Sequence, residues 1–259
     1  MSAILDIGTV ITVRDRELLR ALAIARVLDA SQVQVVGGFR SLRRTNRRLL
    51  KLVRAGVLKR WFVGTLGGGR KALYGLSLHG ASMIGEARAQ VLRLPHDSLI
   101  THSEFLAHQD AVNAVFLLAR FNPLPSGLRC LTWHTFREPF SPAVPLVPDG
   151  YFEIAEGDLI HPMFLEADLG TERATVWKRK VELYLKFAIG GEFECRFRRK
   201  RFRVLVVLPS LRRLESVRRT VARRTPKLFW FALANDIRAQ GIAAPIWLRP
   251  VGDERLPIL

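Results

Sequence analysis

Residues 41–76 read SLRRTNRRLLKLVRAGVLKRWFVGTLGGGRKALYGL, and three elements follow one another in that stretch. Wound at about 100° per residue, 41–55 forms a helix with Leu42, Leu49, Leu52 and Val53 on one side. Arg43, Arg44, Arg47, Arg48, Lys51 and Arg54 fall on the other side, within an arc of roughly 140°. A merely solvated helix face usually mixes both signs of charge, whereas this one carries six cations and no carboxylate. It therefore reads as a recognition helix that brings its basic face and Asn46 into a major groove. Gly56 ends it, 57–63 reads as a strand, 64–70 as a glycine-rich turn and 71–76 as a returning strand. Arg70 and Lys71 then sit at a wing tip, over a minor groove or a phosphate backbone. Gly67, Gly68 and Gly69 lack the Gly-Lys-Ser/Thr sequence and the following helix that a phosphate-cradling loop needs.

Upstream, Thr12 caps a helix with Asp15 at its third position, and Leu18, Leu19, Leu22, Ile24, Ala25 and Leu28 recur at helical spacing up to Asp29. Ser31 is the candidate cap of a short helix over 32–36, stopped by Gly37 and Gly38. Downstream, Ser77 caps a closing helix over 78–89. Three helices followed by a hairpin is the order of a winged helix-turn-helix. The expected organisation is that DNA-binding domain over 1–89, a linker over 90–99 and a second domain over 100–259.

Composition agrees with this division. A chain of 259 residues exceeds one small domain, and 49% hydrophobic residues are enough for real cores. No run of about 18 apolar residues could cross a bilayer. The first ten residues have no basic segment and carry Asp6 early, so no signal peptide is expected. Cys130 and Cys195 stand far apart and read as reduced core thiols, which points to the cytoplasm. The net charge of +18 rests on 33 arginines and 8 lysines, a bias that a GC-rich genome also produces, so distribution matters more than the total. Residues 1–95 hold 17 basic and 5 acidic residues, while 96–259 hold 24 and 18. Charge concentrated at the front points to a polyanionic partner, double-stranded DNA, and to no membrane.

Beyond residue 100 the pattern is helix (103–120), strands (128–135, 150–154, 162–167), helix (175–189), strand (202–208), helix (211–224) and strand (228–234). This α-β-β-β-α-β order is that of a restriction-endonuclease-like core, giving an α+β chain whose second domain is built on a central mixed sheet. The chemistry of that core needs carboxylates from a Pro-Asp and a Glu-x-Lys to converge on a divalent metal. Pro148-Asp149 precedes one strand, and Glu166 and Asp168 end the next on one face. Asp149 and Glu166 are candidate ligands for Mg²⁺ or Mn²⁺, with water completing the shell. Asp168 stands where the lysine belongs, and Lys180 on the following helix is the candidate replacement. A Pro-Asp dipeptide is equally an ordinary turn. His96, His102 and His108 recur every six residues, so no two share a helical face and zinc is not expected. His108 and Asn113 are expected to hydrogen-bond against the sheet. A second basic zone over 196–203 interleaves with Phe193, Phe197 and Phe202 and continues as Arg212, Arg213, Arg218, Arg219, Arg223 and Arg224. It reads either as a nucleic-acid track or as core phenylalanines beside a solvated helix.

Together these motifs resemble the replication-relaxation family of bacterial plasmids and mobile elements. The resemblance covers nearly the whole chain. It rests on the basic helix ending in Leu49-x-x-Leu52-Val53-x-Ala55-Gly56-Val57-Leu58, on Tyr74-x-Leu76-Ser77-x-x-Gly80, on His108 with Asn113 and on Pro148-Asp149. Its most specific part is Phe164-Leu165-Glu166-x-Asp168-x-Gly170-Thr171-Glu172 followed by Lys180-x-x-x-Tyr184. The resemblance implies a winged helix fused to a PD-(D/E)xK nuclease-like domain, acting in replication or DNA relaxation with replication or conjugation proteins as partners. It also implies a site made of Asp149, Glu166, Asp168, Lys180 and Tyr184. The Glu-x-Asp variant departs from working nucleases and favours a DNA-binding factor of weak or no catalysis, with a metal-dependent endonuclease or nickase as the alternative. A relaxase-type tyrosine nucleophile would need a histidine metal triad that the sequence lacks. A transcriptional repressor is a further reading, one that would bind as a homodimer to half-sites about one helical turn apart.

Overall fold

The computed structural model describes residues 10–65, 68–86, 91–100 and 104–259. By backbone contacts the chain divides into two compact units, Met1–Asn113 and Ala114–Leu259. Gly67, His102 and Ser103 lie outside the described residues.

In the first unit, helix α1 (Val13–Ala25) leads into β1 (Leu28–Asp29), α2 (Ala30–Gly37), α3 (Leu42–Arg54), the hairpin β2 (Leu58–Gly64) and β3 (Arg70–Leu76), α4 (Leu78–Ser82) and β4 (Leu99–Ile100). The sheet order is β1-β3-β2-β4, antiparallel except where β4 joins β2. Polar caps start these helices where backbone N–H groups would otherwise lack partners. Thr12 and Asp15 form a reciprocal capping box on α1, as their spacing predicts. The cap of α2 is Asp29 rather than Ser31; Asp29 accepts from the Gln32 N–H, and the Ser31 hydroxyl donates to the same carboxylate. Ser77 caps α4, and its hydroxyl donates to the Val57 carbonyl at 2.8 Å. Gly80 is required beside it, because a Cβ there would stand 2.2 Å from the Val57 oxygen. That helix ends at Ser82 with a turn through Gly85, short of the expected 89; residues 87–90 lie outside the described ones. Residues 91–100 are tied to the sheet: the Asp97 carboxylate accepts from Arg60 at 2.6 and 2.8 Å, and β4 extends β2. The Asn113 amide does not meet a sheet; it donates to the carbonyls of Ala25 and Val27, at 3.1 and 2.7 Å.

Helix α5 (Glu104–Arg120) carries the chain into the second unit. There follow β5 (Leu128–His134), β6 (Gly150–Glu156), β7 (Leu159–Ala167), α6 (Ala174–Ile189), α7 (Glu192–Phe197), β8 (Arg203–Leu208), α8 (Leu211–Ala222), β9 (Phe229–Leu233) and α9 (Ala234–Gln240). The strands run in chain order, β5 to β7 as an antiparallel meander and β7 to β9 parallel. Trp177, Val181, Tyr184 and Phe187 of α6 repeat at helical spacing and pack with α7, α8 and Phe164 on one sheet face. Burying each such side chain contributes about 1.5–3 kcal/mol. On the other face Phe116 of α5 meets Trp133, which stacks on Phe152 at 4.9 Å. Helices α7 and α9 have no clear sequence signal. Cys195 is exposed, not a core thiol, while burial pushes the Cys130 thiol up to about 11. Among the described residues, no helix is long and apolar enough to cross a membrane.

The α1 cap doubles as a clamp on α3, because the Arg48 guanidinium reaches Asp15, whose side chain is 1% exposed. Burial raises the Asp15 carboxyl, but hydrogen bonds from Arg48 and Thr12 outweigh it and leave it below its ordinary value. A depressed carboxyl contributes stability that is complete above its unfolded value near pH 4 and fades as pH falls through the folded value. Asp15→Asn should therefore cost about 2 kcal/mol in urea unfolding at neutral pH, and the gap to the native chain should close in acid. A gap that stays constant down to the acid limit would show that Arg48 does not hold an ionised Asp15.

Candidate functional site

Two constellations stand out, one in each unit. In the first, α3 buries Thr45, Leu49 and Leu52 and turns Arg43, Arg44, Asn46, Arg47, Lys51 and Arg54 to solvent. Leu42 departs from the expected apolar side and is 48% exposed. Arg48 departs from the expected basic face: its Nε donates to Asp15 at 2.8 Å and its guanidinium to the Val10 carbonyl at 2.7 Å. It lies on the flank of the buried stripe, where a long side chain turns inward to a buried carboxylate. Arg70 is exposed at the start of β3, and Lys71 is half-exposed in an ion pair with Asp29.

In the second unit the five residues of the sequence motif gather at one sheet end, where β6 begins and β7 finishes. Asp149 accepts from the Ala167 N–H at 2.7 Å, which ties the two strand ends together. Glu166, 1% exposed, accepts from the Tyr184 hydroxyl at 2.6 Å and from Lys180 Nζ at 2.8 Å. Lys180 also donates to Glu172 at 2.7 Å. Asp168, 4% exposed, accepts from the Trp177 indole at 2.6 Å, from the Arg213 guanidinium at 2.6 Å and from the Gly170 N–H. Gly170 holds φ +90°, a left-handed conformation that closes this turn without strain. Trp177, Lys180 and Tyr184 sit at i, i+3 and i+7, so one stripe of α6 supplies a donor to each buried carboxylate.

Burial pushes the Glu166 carboxyl up; Lys180 pulls it back and the Asp149 carboxylate adds to the rise, leaving it well above its ordinary value. Burial works against charge on Lys180, but Glu166 and Glu172 outweigh it and hold the ammonium protonated. Burial, reinforced by Glu166, also raises the Tyr184 hydroxyl far above its usual value. A fully buried, firmly protonated tyrosine that donates to a carboxylate is not placed to attack a phosphorus atom.

The donor set does not fit Mg²⁺ or Mn²⁺ as arranged. Such an ion keeps several waters and needs carboxylate oxygens that open towards them. Both Glu166 oxygens already accept from α6, and its side chain is 2% exposed. Lys180 supplies to Glu166 the positive charge that a cation would bring. Among the described residues no three histidine, cysteine or acidic side chains stand together as a metal shell. The motif is thus a charge-compensated lock between α6, α8 and the end of β7. Arg213 and Trp177, the partners of Asp168, carry no sequence signal of that role beyond facing β7 from its neighbouring helices. In the second basic zone Phe193 and Phe202 are core and Phe197 is partly buried against it, packed in tilted and edge-on contacts among Tyr151, Phe164 and Phe187, and Arg199 pairs with Glu153 at 3.0 Å.

Lys180→Met should cost about 3 kcal/mol, because it leaves Glu166 buried without its cation. Adding Glu166→Gln to that variant should recover part of the loss, giving a coupling energy of about 1 kcal/mol or more in a double-mutant cycle. Strictly additive losses would contradict the lock.

Among curated proteins, none matches this chain in sequence. A structural likeness is found to the restriction endonuclease FokI, at 12% identity and TM-score 0.31, covering 90% of this chain and 46% of that one. The chain thus spans about half the length of that endonuclease, and a likeness of this size carries no argument about activity. The family described as replication-relaxation matches over residues 19–204, most of the chain and every motif residue from Leu49 to Tyr184. The chain belongs to the replication-relaxation family.

Proposed function

We propose that this chain is a double-stranded-DNA-binding factor of a plasmid or mobile element, acting in its replication or in DNA relaxation beside replication or conjugation proteins. The winged helix-turn-helix over 1–89 grips the duplex, and the second domain is a nuclease-like fold whose acidic motif serves as a structural lock. The observation that carries this reading is α3: five cations and Asn46 on one exposed helix face, with no carboxylate on that helix. A face of this kind pairs with phosphates at a groove edge and brings Asn46 and the arginines near base edges. Arg70 and Lys71 flank the groove from the wing.

The test is a salt titration of duplex binding. Replacing Arg44, Arg47 and Lys51 together by Ala should abolish the shift of labelled duplex at moderate salt. For every phosphate that is no longer neutralised, the slope of log affinity against log salt should flatten by about 0.9. Arg48→Ala separates surface from scaffold: it should lower stability and leave that slope unchanged. An unchanged slope in the triple variant would sink the reading.

One observation favours the nuclease alternative, since Lys180 stands beside Glu166 with the Asp149 carboxylate close by. With Mg²⁺ or Mn²⁺ and supercoiled plasmid, the lock reading expects retarded but uncut DNA. Metal-dependent nicking that is lost in Asp149→Ala would establish the alternative.

A further inference from the structure

The opposite end of the same sheet is built in the reverse sense. Where β7, β8 and β9 begin, the second unit opens into a cleft of about 890 Å³. Leu185, Ala188 and Leu228 are among its apolar floor residues, and Lys200, Arg201, Arg203, Lys227 and Arg249 stand around it. Among the described residues that line it there is no carboxylate. Arg203 and Arg249 both lie against the Trp230 ring, 4.9 and 5.0 Å from its centroid, so two guanidinium groups share one indole. Burial, and then the neighbouring Arg249, lower the Arg203 guanidinium below its ordinary value, more than Glu156 raises it. Like charges held together beside an apolar surface are stabilised by an anion. Leu228, on the cleft floor, holds φ +77°, a backbone region that a leucine seldom adopts and that recurs at binding sites.

An apolar floor ringed by cations matches a ligand with a flat apolar part and a phosphate beside it. We propose that this cleft binds a nucleotide unit of an unpaired nucleic-acid strand, its base on Leu185, Ala188 and Leu228 and its phosphates against Arg201, Lys227 and Arg249. A duplex keeps its bases stacked inside and cannot offer one to a recess. The number of cations exceeds what one phosphate needs and suits successive phosphates along a strand. This site is separate from α3, so it does not depend on the duplex-binding reading.

The experiment uses the full chain with Arg44, Arg47 and Lys51 replaced by Ala, so that α3 keeps only Arg43 and Arg54 of its exposed cations, and a fluorescent short oligothymidylate as probe. This background should still bind the probe. Ala188→Trp, at an exposed position, fills the floor without changing charge. Arg201→Glu with Lys227→Glu, also exposed, reverses the rim. Each change should weaken binding about tenfold or more while leaving the melting temperature unaltered. Thymidine monophosphate should compete only in large excess. Loss of all binding in this triple-alanine background, or unchanged affinity in either cleft variant, would overturn the inference. Competition by the monophosphate at equal concentration would overturn the strand and assign the cleft to a free nucleotide.

Discussion

Glu166 cannot be buried alone. An isolated carboxylate inside a protein is costly enough that it either takes a proton or recruits a cation and hydrogen bonds. The second unit draws on both: burial leaves the Glu166 carboxyl above its ordinary value, while Tyr184 and Lys180 approach from α6 and Glu172 holds the far side of Lys180. Asp168, two residues on, draws in Trp177 from α6 and Arg213 from α8. With both carboxylates satisfied, α6 has one register against β7, and its apolar stripe falls onto Phe164 and the parallel strands. Much of the packing of that sheet face follows from how two charges are compensated.

The two ends of this sheet are therefore opposites. At one end Glu166 and Asp168 are paired and almost wholly buried, with Glu172 partly exposed beside them. At the other, cations crowd an open recess without an acid among its lining residues. A closed acidic end and an open basic end give the sheet of the second unit two ends of opposite character. The basic face of α3 repeats the same logic in the first unit, with one exception. Arg48 is drawn inward by Asp15, so that face works with five cations rather than six.

Much of this was legible in the sequence where a local period or a cap specified it. The strands around Asp149 and Glu166, the limits of α3 and the capping box at Thr12 all follow from spacing and turn residues. Choices between neighbouring polar groups were less legible. Asp29 rather than Ser31 caps α2 because its carboxylate also meets Lys71 across the sheet, a partner 42 positions away in sequence. Arg213 reads as one more arginine in a basic helix until β8 sets it beside Asp168. Lys180 was legible as part of the acidic motif, yet its second partner Glu172, and hence its role as a lock, emerges only in three dimensions. The phenylalanines among the arginines of 193–203 looked equally like base-stacking surface and like core. The sheet decides for core and leaves the arginines at its rim.

The most direct test of the central claim places a probe on the outer face of α3 without removing a charge. Leu50 is 37% exposed between the arginines and takes no part in the clamp on Asp15. Leu50→Cys labelled with a photoreactive benzophenone should crosslink to duplex DNA in high yield, and salt that dissociates the complex should abolish the crosslink. Tight duplex binding with no crosslink from Leu50 would contradict the account, because α3 would then lie outside the groove.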